Sequence, residues 1–282
     1  MSDRKGLITV AELAARLEGE PAGLAIVDIR EKPDEGGGTI PGAVWVDLHD
    51  GFAQRRPERQ LNYDLPRPDE VAATLGRLGI GPATEVVFAD DMGNRWATRA
   101  YWMLHYYRHA APVHVLDGGL AKWRELGMPT VAGFASPEPV DYPAPTATDP
   151  SIRATAEDLR DGVAAGTIQA CDVRTPEEYS GEVALSGRGG HVPGAPHVFW
   201  EEADAPDRTF LPDDRLREVL APFLSGGREL VTYCQGGIRA SHTWFCLHEL
   251  LGLPARLYAA SWEEWGPRED LPVDNLSSSQ TG

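Results

Sequence analysis

Apolar residues along this chain come in short runs bounded by polar or turn-forming residues. Residues 24–28, 85–89 and 113–116 read LAIVD, EVVFA and VHVL; residues 168–172, 229–233 and 255–258 read IQACD, ELVTY and ARLY. Runs this short and rich in β-branched residues predict buried strands. Residues 11–17 and 156–163 have helical amphipathic spacing instead, each behind a threonine, Thr9 or Thr155, suited to capping a helix. Longer helical patterns occupy 96–107 and 240–251. Strands alternating with helices argue for an α/β fold with a parallel sheet covered on both faces.

The whole order of elements occurs twice. Asp28-Ile29-Arg30 and Asp172-Val173-Arg174 each close a strand run, and Asp90 and Cys234 follow the next strand of each half at the same offset. Ile40-Pro41-Gly42-Ala43 pairs with Val192-Pro193-Gly194-Ala195, and Gly119-Leu120-Ala121-Lys122-Trp123 with Ser261-Trp262-Glu263-Glu264-Trp265. Four landmarks in one order mark a duplication. Between the halves, residues 136–150 carry five prolines, a density that stops both helices and central strands. The expected organisation is a domain over 1–135, a linker over 136–150 and a second domain over 151–282.

Composition narrows the function classes. A chain of 282 residues, 42% hydrophobic and 24% charged, is long enough for two globular cores. Acidic residues outnumber Lys and Arg by 43 to 26, a net charge of −17, and no basic run offsets it. Such a surface repels nucleic acid and anionic membranes, so neither is an expected partner. With no long apolar segment and no signal-like start, the expected location is cytoplasmic. Cys171, Cys234 and Cys246 are too few for a disulfide framework and lack zinc-ligand spacing, so no metal is expected.

One cysteine stands in a reactive setting. Cys234 ends the strand ELVTY, and Gln235-Gly236-Gly237-Ile238-Arg239 leads from it into the helical pattern. Ligands of open α/β sheets bind at the carboxyl ends of strands. Two adjacent glycines let the backbone curl and turn its N–H groups inward, and a helix N-terminus adds further donors. A thiol so placed is favoured as thiolate, with Arg239 as a fixed cation. Cys171 within a strand and Cys246 within a helix read as packing residues. Asp172–Arg174 and Asp28–Arg30 read as buried structural pairs, His191 as a turn residue, and the tryptophans 123, 262 and 265 as interdomain and helix–sheet core. Arg188, in the stretch 187–190, is a candidate anion ligand.

These residues carry a resemblance. The repeated Asp-x-Arg, His191-Val192-Pro193-Gly194-Ala195, the strand–Cys–loop–helix unit and Gly118-Gly119-Leu120 with Trp123 resemble the tandem-domain rhodaneses, the thiosulfate sulfurtransferase family, over nearly the whole chain. In that family the first domain has Asp where the second has its catalytic Cys, as Asp90 and Cys234 stand here. The resemblance implies two rhodanese-like domains and no cofactor. It implies a persulfide mechanism in which Cys234 takes sulfur from a small-molecule donor and passes it to a thiophilic acceptor: cyanide, a small thiol or a partner protein. Gln235, Gly236, Gly237, Ile238 and Arg239 would hold the donor, with Arg188 beside them.

The loop differs from the better-known subtypes. Two basic residues follow the Cys in animal thiosulfate enzymes, and Gly-Ser-Gly-Val-Thr follows it in mercaptopyruvate enzymes. Here the run is Gln-Gly-Gly-Ile-Arg, and Glu178 stands where both kinds have an anion-holding Arg. The Arg239 ending and the Ser241-His242-Thr243-Trp244 run resemble bacterial thiosulfate enzymes, so thiosulfate is the expected donor. 3-Mercaptopyruvate and persulfide relay to a protein are the alternatives. A cysteine phosphatase is disfavoured, since its Cys-x5-Arg cradle is one residue longer and His commonly precedes its Cys, where Tyr233 stands here. The loop after Asp90, with one glycine, is expected not to form the same inward nest of N–H groups.

Overall fold

The apolar runs do form the strands. A computed structural model describes residues 4–19, 22–31 and 38–275. In chain order the strands are β1 (Leu7–Ile8), β2 (Leu24–Asp28), β3 (Val44–Trp45), β4 (Gln54–Arg56), β5 (Leu61–Asp64), β6 (Glu85–Ala89), β7 (Val113–Leu116), β8 (Arg153–Ala154), β9 (Ile168–Asp172), β10 (Glu229–Tyr233) and β11 (Ala255–Tyr258). Two parallel sheets result, ordered β1-β7-β6-β2-β3 and β8-β11-β10-β9. The fifth position of the second sheet is reduced to a single parallel bridge, Asp172 with His197. Tyr233 lies opposite Asp172 in the register, so both strand ends reach the same edge of the sheet.

The helices are α1 (Val10–Leu17), α2 (Pro68–Arg77), α3 (Arg95–Tyr106), α4 (Gly119–Glu125), α5 (Ala156–Ala164), α6 (Pro176–Ser180), α7 (Asp213–Val219), α8 (Ala221–Leu224), α9 (Ile238–Phe245) and α10 (Ser261–Trp265). Thr9 and Thr155 cap α1 and α5 in full capping boxes with Glu12 and Asp158. The helix expected over 240–251 starts earlier and changes pitch. After Phe245 it widens into a π turn over Cys246–Leu250, where the Leu251 N–H donates to the Cys246 carbonyl at 3.0 Å.

The units do not coincide with the chain halves. The first comprises Met1–Gln54, Pro66–Asp149 and Asp204–Phe210; the second comprises Arg55–Leu65, Pro150–Ala203 and Leu211–Gly282. Each half therefore contributes one short segment to the other unit, at a corresponding place in the repeat. The proline-rich stretch is extended and tied to the first unit: Val140 N–H donates to Gly76 O at 3.0 Å and Asp149 N–H to Tyr106 O at 2.7 Å. Proline removes the donors a sheet would need, so the remaining N–H groups find isolated carbonyls instead.

Each unit has its own core. Trp123 packs with Leu13, Ile26 and Val87, and Trp262 and Trp265 pack with Leu159, Val231 and Tyr258. All three tryptophans thus belong to the helix–sheet core of their own unit. Asp28 and Arg30 form a buried ion pair at 2.7 Å, and Asp172 and Arg174 one at 2.6 Å. Arg30 also donates to Gly38 O and Arg174 to Gly190 O, which ties each strand end to the loop beside it. His191 lies in an antiparallel bridge to Asp274 just before the turn at 193–194, its Nδ1 2.9 Å from Tyr179 O and its ring stacked on Tyr179 at 3.9 Å.

Candidate active site

Cys234 follows the last residue of β10 and is almost wholly enclosed by its own loop, at 1% exposure. Its N–H donates to Ser261 Oγ at 3.0 Å, and its carbonyl accepts from Trp262 N–H at 3.0 Å. Those bonds fasten the backbone to the start of α10 and leave Sγ facing the loop. The Gly237 N–H donates to Sγ at 3.1 Å. Gly237 has φ +81°, and a Cβ there would collide with the Ala259 carbonyl. A Cβ at Gly236 would collide with the Tyr63 ring. Both glycines are thus needed, one for backbone conformation and one for close approach.

Arg239, in the first turn of α9, lies beside the thiol but is not a bare cation. Its guanidinium makes two bonds to the Glu178 carboxylate, at 2.6 and 2.9 Å. Burial opposes its charge, yet the Glu178 carboxylate and the neighbouring Cys234 hold its pKa above the ordinary value. Burial likewise opposes ionisation of Glu178, and Arg239 overcomes it, leaving that carboxyl below its usual range. Glu178 is also the acidic member of the Thr175 capping box on α6.

Of the remaining expected ligands, Gln235 turns its amide to Ser186 Oγ at 2.6 Å, and its carbonyl accepts from Glu263 N–H at 2.9 Å. Ile238 is buried at 7% exposure as the first residue of α9. Arg188 is a correction. Its guanidinium donates to the carbonyls of Gly266 at 2.9 Å and Leu271 at 2.9 Å, and to those of Trp265 and Arg268. The chain after α10 turns its carbonyls inward, and Arg188 satisfies them, so it ties the loop to that turn rather than holding a substrate anion. Cys171 and Cys246 are fully buried, and burial pushes the Cys171 thiol well up.

Several contributors escaped the sequence reading. Ser261 holds the Cys234 N–H from a left-handed backbone at φ +54°, where the first unit has Gly119 at φ +56°. Segment 55–65, counted with the second unit, supplies Tyr63 against Gly236. It also supplies Asn62, whose N–H and side-chain amide donate to Glu263 at 2.8 and 2.9 Å. The sequence marks Glu178 only as standing where related enzymes have an anion-holding Arg; its bond to Arg239, 61 residues away, carries no local signal.

The loop of the first unit overturns a further expectation. Asp90 Oδ1 accepts from the N–H groups of Met92 at 2.9 Å and Asn94 at 3.0 Å; Oδ2 accepts from Trp96 at 2.8 Å and Ala97 at 2.9 Å. The inward nest forms without a second glycine because Asn94 adopts φ +59°, a conformation that asparagine tolerates. A carboxylate of the chain itself fills the nest. Burial still pushes the Asp90 carboxyl up, against the pull of the four amides.

The model of the rhodanese-like domain matches this chain twice, over residues 9–126 and 155–267. The chain belongs to the rhodanese family. Among similar proteins, the sulfur carrier protein TtuD of Thermus thermophilus is 35% identical over 249 residues, 84% of this chain and 85% of that one. A probable 3-mercaptopyruvate sulfurtransferase of Pseudomonas aeruginosa is 35% identical, covering 95% of this chain and 97% of its own length. A thiosulfate sulfurtransferase of the same organism is 34% identical, covering 97% and 98%. The rhodanese relatives thus make this a sulfurtransferase family member of α/β fold with two rhodanese-like domains. Among the described residues no helix is long and apolar enough to cross a membrane, and no cluster of His, Cys, Asp or Glu is arranged to hold a metal.

Proposed function

We propose that the chain moves a sulfane sulfur from thiosulfate to a thiophilic acceptor such as cyanide, through a persulfide on Cys234. The Cys234 thiolate attacks the outer sulfur of the donor, a sulfur–sulfur bond forms, and sulfite leaves with the electron pair of the bond that breaks. The acceptor then attacks the terminal sulfur, and the thiolate returns. A persulfide anion in the loop needs donors around its terminal sulfur. The observation that carries this reading is the pair of loops: four amides converge on the Asp90 carboxylate in one, and the Gly237 amide already points at Sγ in the other. A cradle built for one monoanion serves a carboxylate or a persulfide equally well. Gly236 and Gly237 shape the cradle, Gln235 and Ile238 frame it, and Arg239 flanks the sulfur.

The alternative donor is 3-mercaptopyruvate, and the alternative acceptor is a small thiol or a partner protein. One observation favours keeping them: Arg239 is paired with Glu178, which weakens the case for a dianion. The reading is tested by intact mass after exposure to thiosulfate. Wild type should gain one sulfur and lose it to cyanide with thiocyanate formed; Cys234→Ser should gain none. A wild-type protein that takes up no sulfur from thiosulfate or 3-mercaptopyruvate refutes the reading.

A further inference from the structure

The cation beside the nucleophile is cancelled before any substrate arrives. Glu178 reaches Arg239 from the first turn of α6, a different element from the Cys234 loop, and the pair is well shielded, with side-chain exposures of 5% and 16%. Shielded charges are poorly screened by salt, so the carboxylate acts on anything bound at the sulfur. Asp172 and Arg174, also buried in this region, neutralise each other, and the buried Glu263 carboxylate is turned to the Asn62 N–H and side-chain amide. The donor site thus has amide N–H groups and a compensated guanidinium, with no net side-chain charge from the two ion pairs.

We propose that Glu178 is a specificity-determining residue that biases the Cys234 site against dianionic sulfur donors and towards donors bearing one negative charge or none. The inference rests on the proposed sulfur transfer and refines its substrate class. A carboxylate near the loop repels a dianion with twice the energy with which it repels a monoanion at the same place. Discrimination therefore scales with donor charge: with Glu178 in place, mercapto-carboxylates and organic persulfides gain on thiosulfate relative to the same site without that carboxylate.

The test is Glu178→Gln in the full chain, with Cys171 and Cys246 replaced by Ser so that Cys234 alone reports. Gln keeps the shape and an acceptor for Arg239 while removing the charge. The expected rise in kcat/KM is about tenfold for thiosulfate and about threefold for 3-mercaptopyruvate, the ratio that charge scaling requires. An independent readout uses alkylation of Cys234: the iodoacetate rate relative to neutral iodoacetamide should rise about threefold. Equal effects on both donors with an unchanged alkylation ratio would overturn the proposal. A failure of sulfur transfer itself is distinguishable, because alkylation would still respond while no donor loads sulfur. Should the variant not fold, the deciding quantity is the wild-type ratio of iodoacetate to iodoacetamide rates at Cys234. A value several times that of free cysteine would reveal an uncompensated cation and overturn the proposal, whereas a value at or below it supports it.

Discussion

At the residue scale, the chemistry rests on neighbours that differ in how far they lie along the chain. Cys234, the glycines and Arg239 fall within six residues, so their pattern is readable as a string. Glu178 and Ser261 reach the same place through the fold; the resemblance flags the position of Glu178, but no local pattern gives its bond to Arg239 or the bond of Ser261 to Cys234. Arg188 shows the converse, since a cation in a glycine-rich stretch looks like an anion ligand until the carbonyls around it are counted. The cysteines separate cleanly: Cys234→Ser should abolish thiosulfate–cyanide turnover, while Cys171→Ser and Cys246→Ser keep most of it. Substantial activity in the Cys234 variant would mean another nucleophile. Arg239→Ala should raise the thiosulfate KM, and it should also destabilise the chain, because Glu178 is left buried without a partner. Losing one member of a buried pair costs about 3–5 kcal/mol. Arg239→Ala combined with Glu178→Gln should recover most of that loss in denaturant melts. If the double variant is no more stable than Arg239→Ala alone, the pair is not what anchors Arg239.

At the scale of elements, strands were the most legible. The runs at Glu85–Ala89, Val113–Leu116, Glu229–Tyr233 and Ala255–Tyr258 are strands with the bounds their composition indicated. A buried parallel strand is apolar on both faces, so its ends are where polarity resumes. The π turn after Phe245 left no such mark, since one widened turn keeps the apolar face nearly continuous. The β4 and β5 strands, rich in Arg, Asn and Gln, also lacked an apolar run. Strand ends carry an electrostatic cost in the first unit. Asp117, just after β7, accepts from the Phe210 N–H at 2.9 Å. Burial pushes its carboxyl up to about 6, with Asp207 and Asp204 adding and the Phe210 amide and Arg4 opposing. A raised carboxyl binds its proton more tightly in the folded state, so ionised Asp117 destabilises the fold above pH 6. The penalty fades as pH falls from 6 towards the unfolded value near 4. Asp117→Asn should therefore stabilise the protein by about 1–3 kcal/mol at pH 7.5 and by little at pH 4. A gain of equal size at both pH values would assign it to packing rather than charge.

At the scale of the whole chain, duplication is legible and the exchange of segments is not. Landmarks at one offset reveal two copies of one plan, but nothing in Arg55–Leu65 says that it is counted with the second unit, or in Asp204–Phe210 that it is counted with the first. The exchange bears on the role of the first half, whose nucleophile position is filled by a carboxylate that already occupies its own nest. Asp90 cannot form a persulfide, so the first half is expected to be catalytically silent. It is nevertheless expected to be needed, because Tyr63 abuts Gly236, and Asn62 holds the carboxylate of Glu263, the residue whose backbone N–H donates to the Gln235 carbonyl. Expressed alone, Ser151 to Gly282 lacks that segment. Gly236 loses its aromatic neighbour, and the buried Glu263 loses two donors, each worth about 1–3 kcal/mol when a charged acceptor is left unpaired. The fragment should melt lower than the intact chain, with thiosulfate–cyanide turnover reduced at least tenfold or abolished by aggregation. Restoring residues 55–65 as a fused peptide should recover part of both if the segment itself is responsible. A bare fragment as active and as stable as the full chain would show that the halves are independent and that the exchanged segment is dispensable to the Cys234 loop.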